Sequence, residues 1–232
     1  MKRSTLATLL VLFVLIPLTL YFGTRLPGRG YYLTGTALVI EILLPFFLSF
    51  EGRKPQAREL VILSVLCAIC VASRAVFAWL PHFKPVFGII MIAGITFGPQ
   101  SGFLVGAITA FASNFMFGQG PWTPWQMVAY GMAGLLSGIA TKKNWIAKKP
   151  LELAFFGFFC TILAVGPLLD TATVFTTLSV FTPKAVLAVY GAGVPANLIQ
   201  SICTFITLLL LTKPLLQKLE RVKRKYGLIE LN

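Results

Sequence analysis

Three ionisable side chains, Glu41, Arg74 and Asp170, stand inside long apolar runs. In hydrocarbon, an ionised group is tolerated only when it is paired or faces water, so each is a candidate for binding or ion chemistry. Arg74 and Asp170 fall at similar depth in their runs. They either pair with each other or line a cavity that opens outward. Snorkelling of the arginine to the headgroups is the purely structural alternative. Glu41 lies mid-run with no obvious partner. A second concentration of chemistry runs from Ser113-Asn114 to Tyr130 and contains Gln119, Trp122, Thr123, Trp125 and Gln126 among two glycines and two prolines. Aromatic faces with amides suit an organic ligand that is stacked and hydrogen-bonded at once. An interfacial aromatic belt accounts for the tryptophans but not for Asn114, Gln119 and Gln126 clustered with them.

Other chemistries lack their residues. His82 is the lone histidine, and Cys67-x-x-Cys70 has no second pair to complete a tetrahedral site. These cysteines, with Cys160 and Cys203, read as small helix-packing residues. No G-x-x-x-x-G-K-[ST], H-E-x-x-H or G-x-S-x-G motif occurs. Neither enzymatic activity nor a metal or cofactor is expected. An intramembrane enzyme needs a catalytic dyad in its spans, and a self-sufficient secondary transporter needs coupling-ion groups and often repeated halves. Neither pattern is visible.

The elements that position these residues follow from composition. The 232 residues are 57% hydrophobic and 12% charged, against about 25% charged in an ordinary soluble domain. Apolar runs without period-2 alternation argue for membrane helices over a barrel. The expected fold is therefore all-α and polytopic, with eight spans at about residues 5–23, 33–50, 59–80, 86–97, 103–117, 126–141, 151–171 and 185–211. Residues 98–102 read as a tight turn, residues 171–183 as an interfacial loop, and the tail from Lys213 as a short amphipathic helix. The first run lacks a signal-peptidase-like site and is expected to stay as a span. The net charge of +13 sits in connectors and ends rather than on one basic face, so it reads as topology, not nucleic-acid binding. With the amino terminus inside, fifteen Lys and Arg fall on the inner side and four (Arg25, Arg29, Lys84, Lys184) on the outer. That bias places both termini in the cytoplasm of a prokaryotic cell.

Small residues at Ser64, Ala68 and Ala72 recur every fourth position of the third run, and Gly131, Gly134 and Gly138 form a similar stripe in the sixth. Such stripes let helix backbones approach closely, inside a bundle or against a partner.

Phe97-Gly98-Pro99, Gly102, Gly106, Ser113-Asn114, the segment from Gly118-Gln119-Gly120-Pro121-Trp122 to Met127, and the stripe at Gly131, Gly134 and Gly138 carry a family resemblance. The chain resembles the substrate-binding S components of energy-coupling factor (ECF) vitamin transporters over roughly residues 58–211. The resemblance implies a six-helix core (58–212) after two additional helices (1–57) and before a basic cytoplasmic tail (213–232). It implies capture of a vitamin outside the cell and delivery through a transmembrane T component and two ATPase subunits, with toppling in the bilayer. It implies docking on the T component through Ser64, Ala68 and Ala72. The Gln-Gly-Pro-Trp segment looks most like cobalamin-type S components, with riboflavin or a queuosine precursor as alternatives. The candidate substrate contacts are Arg74, Phe83, Asn114, Gln119, Trp122, Gln126, Tyr130, Asp170, Tyr190 and Asn197.

Overall fold

A computed structural model describes residues 10–23, 33–41, 43–44, 57–178 and 180–226. Every regular element among them is helical, as the lack of alternation predicts. Helix α1 is a π-turn (Val11–Leu15) running into Ile16–Gly23, and α2 covers the helical residues 33–41 and 43–44. The core follows as α3 (Ala57–Val76), α4 (Val86–Phe97), α5 (Pro99–Phe117), α6 (Thr123–Lys142), α7 (Pro150–Thr177) and α8 (Pro183–Lys225). Among the described residues, α3, α7 and α8 are long and apolar enough to cross a membrane.

Helix α4 has twelve residues, all of them buried, and at 1.5 Å per residue it is roughly 18 Å long. It is the bundle's central post, packed against α3, α5, α6 and α8. Glycines make that packing possible. A Cβ on Gly102 would lie 2.5 Å from the Gly94 Cα and 2.6 Å from the Gly134 carbonyl oxygen, and one on Gly134 would strike the Gly102 carbonyl. Ser137 Oγ, one turn along α6, donates to the Met91 carbonyl of α4 at 3.0 Å. The expected stripe on the sixth run is therefore an internal seam, where backbones touch backbones.

Several predicted boundaries move. The third helix ends at Val76 rather than near Leu80. There the chain tightens through Ala78 N to Ala75 O and Leu80 N to Phe77 O, the i→i+3 pattern that closes a helix end. The expected turn at 98–102 shrinks to Gly98 alone. Its φ of 94° is open to glycine, and Pro99 starts α5 at a position that needs no N–H donor. Helix α6 likewise starts at Thr123, with Pro124 in its first turn.

The seventh helix continues to Thr177 through a π-turn (Thr161–Val165) just ahead of Pro167, whose ring disturbs the preceding turn. Its threonine-rich end reads as a loop in sequence but stays helical. Thr171, Thr173, Thr176 and Thr177 each donate their hydroxyl to the carbonyl four residues earlier. The tail is not a separate helix, because α8 runs unbroken past Lys213 to Lys225. Its 43 residues extend roughly 65 Å. Lys223 Nζ donates to the Thr96 carbonyl at 2.8 Å, which ties the end of α8 to the last turn of α4.

The amino-terminal helices are attached to this core. Val39 and Leu43 of α2 pack with Phe103, Ala107 and Val128. Gly35 comes so near Phe175 and Trp125 that a Cβ there would sit 2.9 and 3.2 Å from their rings. Glu41 has a partner after all: Thr19 of α1 donates to its Oε1.

Gly134→Val is expected to force α5 and α6 apart and lower stability by about 1–3 kcal/mol, the usual cost of overpacking. A melting curve of the purified full chain checks this, and an unchanged midpoint would contradict the seam.

Candidate functional site

The ten candidate contacts separate into two polar centres and two outliers. The first centre joins α3, α5 and α6. Arg74, only 6% exposed, projects from the last turn of α3. Its Nη1 donates to Ser113 Oγ, and to Asn114 Oδ1 at 3.3 Å. Its guanidinium lies 4.8 Å from the centre of the Phe117 ring and 5.3 Å from that of Tyr130, close enough for cation–π attraction. Asn114 then donates to Thr123 Oγ1 at 3.1 Å and Gln126 Oε1 at 2.7 Å. Thr123 donates to Gln119 Oε1 at 2.9 Å, while Gln119 Nε2 donates to the Phe111 carbonyl. Tyr130 is fixed edge-to-face against Phe87 at 4.6 Å.

This first network binds the chain to itself. Every amide in it has a protein partner, and Arg74 Nε is its one buried group without one. Lys84, between α3 and α4, adds a second cation 5.6 Å from the Phe117 ring. Burial first, and then the nearby Arg74 charge, pull its ammonium below the ordinary lysine range.

The second centre lies between α7 and α8. Asn197 Nδ2 donates to Asp170 Oδ2 at 2.7 Å, and the Thr171 and Tyr190 hydroxyls share a hydrogen bond of 2.7 Å. Asp170, Tyr190 and Asn197 line a cleft of about 380 Å³ whose walls include Ile162, Leu187 and Val194. Gly166 and Gly193 make room for the pair. A Cβ on Gly166 would lie 2.6 Å from Asn197 Cγ, and one on Gly193 2.6 Å from Asp170 Cγ.

Arg74 and Asp170 do not pair, because their side chains are bonded within different centres. The two centres are nonetheless neighbours through α8. Gln200, one turn after Asn197, donates to the Lys84 carbonyl at 2.6 Å, and the Trp125 and Phe175 rings stack at 5.2 Å. Phe83 is an outlier, half-buried against Phe77 with ring centres 6.3 Å apart. Trp122 is the other, 40% exposed with its indole lying over Gly120. Ser113, Thr123, Phe117, Lys84 and Gln200 join the centres without having been singled out as contacts. Ser113 and Thr123 belong to the polar stretch visible in the sequence, but no spacing rule points to Lys84 or Gln200.

Ser64, Ala68 and Ala72 are exposed, on the side of α3 opposite Leu63, Leu66, Cys67, Cys70 and Arg74. They do not serve internal packing. Val61, Val65, Ile69 and Val76 are exposed with them and leave an apolar outer face.

Residues 54–217 match the family of the ECF-type riboflavin transporter, S component. The match takes in α3 to α7 and most of α8, and so both polar centres. The chain belongs to this family. It is also similar to a UPF0397 protein of Vibrio atlanticus (strain LGP32), 28% identical over 85 residues, or 36% of this chain. The similarity covers 46% of that relative's length. No solved structure matches. The S-component assignment agrees with the resemblance carried by the Gly98 to Met127 segment, and it names riboflavin where that segment suggests cobalamin.

Asn114→Leu removes the amide joining Arg74 to Thr123 and Gln126. It is expected to destabilise the fold by about 1–3 kcal/mol, the cost of stranding buried polar groups. Trp122→Ala, in the exposed loop, is expected to shift stability by less than about 0.5 kcal/mol. Thermal melts of the two variants in one detergent compare them directly.

Proposed function

We propose that this chain is the substrate-capturing subunit of an ECF-type importer, a binding and transport protein with no enzymatic activity of its own. The observation that carries this reading is the cleft between α7 and α8, inside the segment that matches the S-component family. Within a helical bundle it supplies apolar walls and a few convergent polar groups, the ordinary make-up of a small-molecule site. Asp170, Tyr190 and Asn197 are the proposed direct contacts. Arg74, Asn114, Gln119, Gln126 and Tyr130 act in this reading as a bonded frame that holds α3, α5 and α6 in place beside it, with Phe83 and Trp122 at its margins.

The chain is placed in the plasma membrane of a prokaryote with eight spans and both termini in the cytoplasm. The core of residues 58–212 carries the site, the described residues of α1 and α2 brace it, and the described residues from Lys213 on form its basic inner end. The exposed face of Ser64, Ala68 and Ala72 is the proposed docking surface for a T component, which works with two ATPase subunits. An apolar helix face with small side chains allows another helix to approach closely in lipid.

The substrate in this reading is a vitamin-sized compound. A volume of about 380 Å³ lies near the lower end of the roughly 300–1,000 Å³ of small-ligand sites. That suits a ligand of two or three rings, such as riboflavin, better than cobalamin with its corrin ring and amide arms.

Auxotrophic cells carrying the full transporter test the proposal. Growth on a trace of some vitamin no larger than riboflavin, lost on Tyr190→Ala, is the expected result. Rescue by cobalamin alone would overturn the size argument, and rescue by no vitamin would overturn the reading.

A further inference from the structure

Among the described residues, the cleft between α7 and α8 is lined by a carboxylate and no cation. Asp170 is only 9% exposed, and among the described residues its side chain accepts a single hydrogen bond, from Asn197. Among the described residues no lysine, arginine or histidine forms an ion pair with it. An ionised carboxylate offers about four acceptor positions, so most of its capacity is unfilled. A charge so enclosed is costly unless an opposite charge answers it.

The surroundings are shaped to keep this group. Gly166 and Gly193 leave the space that Asn197 and Asp170 occupy, since a Cβ on either glycine would collide with the pair. The Asn197 amide fixes the orientation of the carboxylate. The Tyr190 hydroxyl is held by Thr171, which steadies an aromatic ring in the cleft wall beside Asp170. Ile162, Leu187 and Val194 supply apolar walls, and in such a setting Coulomb attraction is stronger than in water.

We infer that the cleft takes a ligand of net positive charge carried on nitrogen, seated with its cationic end on Asp170 and beside the Tyr190 ring. The inference rests on the reading of this cleft as the substrate site and adds the charge class of the substrate. A neutral ligand leaves Asp170 unanswered, and an anionic one is repelled. A cation completes the pair and gains from the ring face as well.

The test uses the full chain in lipid nanodiscs, titrated by calorimetry. The cationic probes are pyridoxamine and thiamine, and the neutral probes are pyridoxine, riboflavin and cobalamin. The expected result is saturable binding of a cationic probe that weakens about 30-fold or more in Asp170→Asn, as for loss of one partner of a buried charge pair. Pyridoxamine against pyridoxine, which differ at one substituent, gives a comparison on the unaltered chain that needs no variant to fold. Tighter or equal binding of a neutral probe, or cation binding unchanged in Asp170→Asn, overturns the inference and leaves the substrate-site reading standing. Failure of all five probes to bind a cooperatively melting chain overturns both.

Discussion

A polar group inside a membrane bundle has to be answered by the protein, since lipid offers no hydrogen bonds. Arg74 imposes that requirement most heavily here. Its guanidinium is met by Ser113 and Asn114 of α5, and through Asn114 by Thr123 and Gln126 of α6. That chain of bonds needs α5 and α6 in close register. The glycine seam provides it, with Gly102 and Gly134 in backbone contact and Gly106 against the backbone at Tyr130. The seam and the arginine network thus depend on one another. Bulk at a glycine would pull the amides from Arg74, and loss of an amide would leave a buried charge at the helix junction.

The second centre answers to the same constraint differently. Asp170 has its own amide partner and glycine clearance, but it opens on a cleft instead of closing on another helix. One charged centre is closed on by neighbouring helices, with only Arg74 Nε left unmet, and the other opens on a cleft, and the proposed division of labour between frame and site follows from that. The amino-terminal helices fit the same picture. Thr19 of α1 meets one oxygen of the Glu41 carboxylate on α2, the other staying buried without a partner, while Val39 and Leu43 bind α2 to the core.

Much of this was legible in the sequence. Charge in apolar runs singled out Arg74 and Asp170, and glycine spacing marked α6 as a packing face. What sequence depth does not reveal is direction around the helix. Arg74 and Asp170 stand at comparable depth yet face different neighbours, which only the packing of α3 and α7 decides. Gly98-Pro99 is equally a turn or a helix start until φ is known. The threonines of α7 look like a loop because their propensity is weak, but their hydroxyls return to the helix's own carbonyls. Ser64, Ala68 and Ala72 have a stripe's spacing whether it faces inward or outward, and burial alone distinguishes the two.

The proposed role in a larger transporter rests on membership in the S-component family, with the exposed small-residue face on α3 as its proposed docking surface. The most direct measurement is affinity purification of the tagged full chain from membranes of its own host. The account predicts co-purification of a transmembrane T component with two ATPase subunits, and their loss when Ala68→Trp fills the exposed face of α3 while the chain still folds. Recovery of the chain alone from membranes that actively import the vitamin through it would contradict the account.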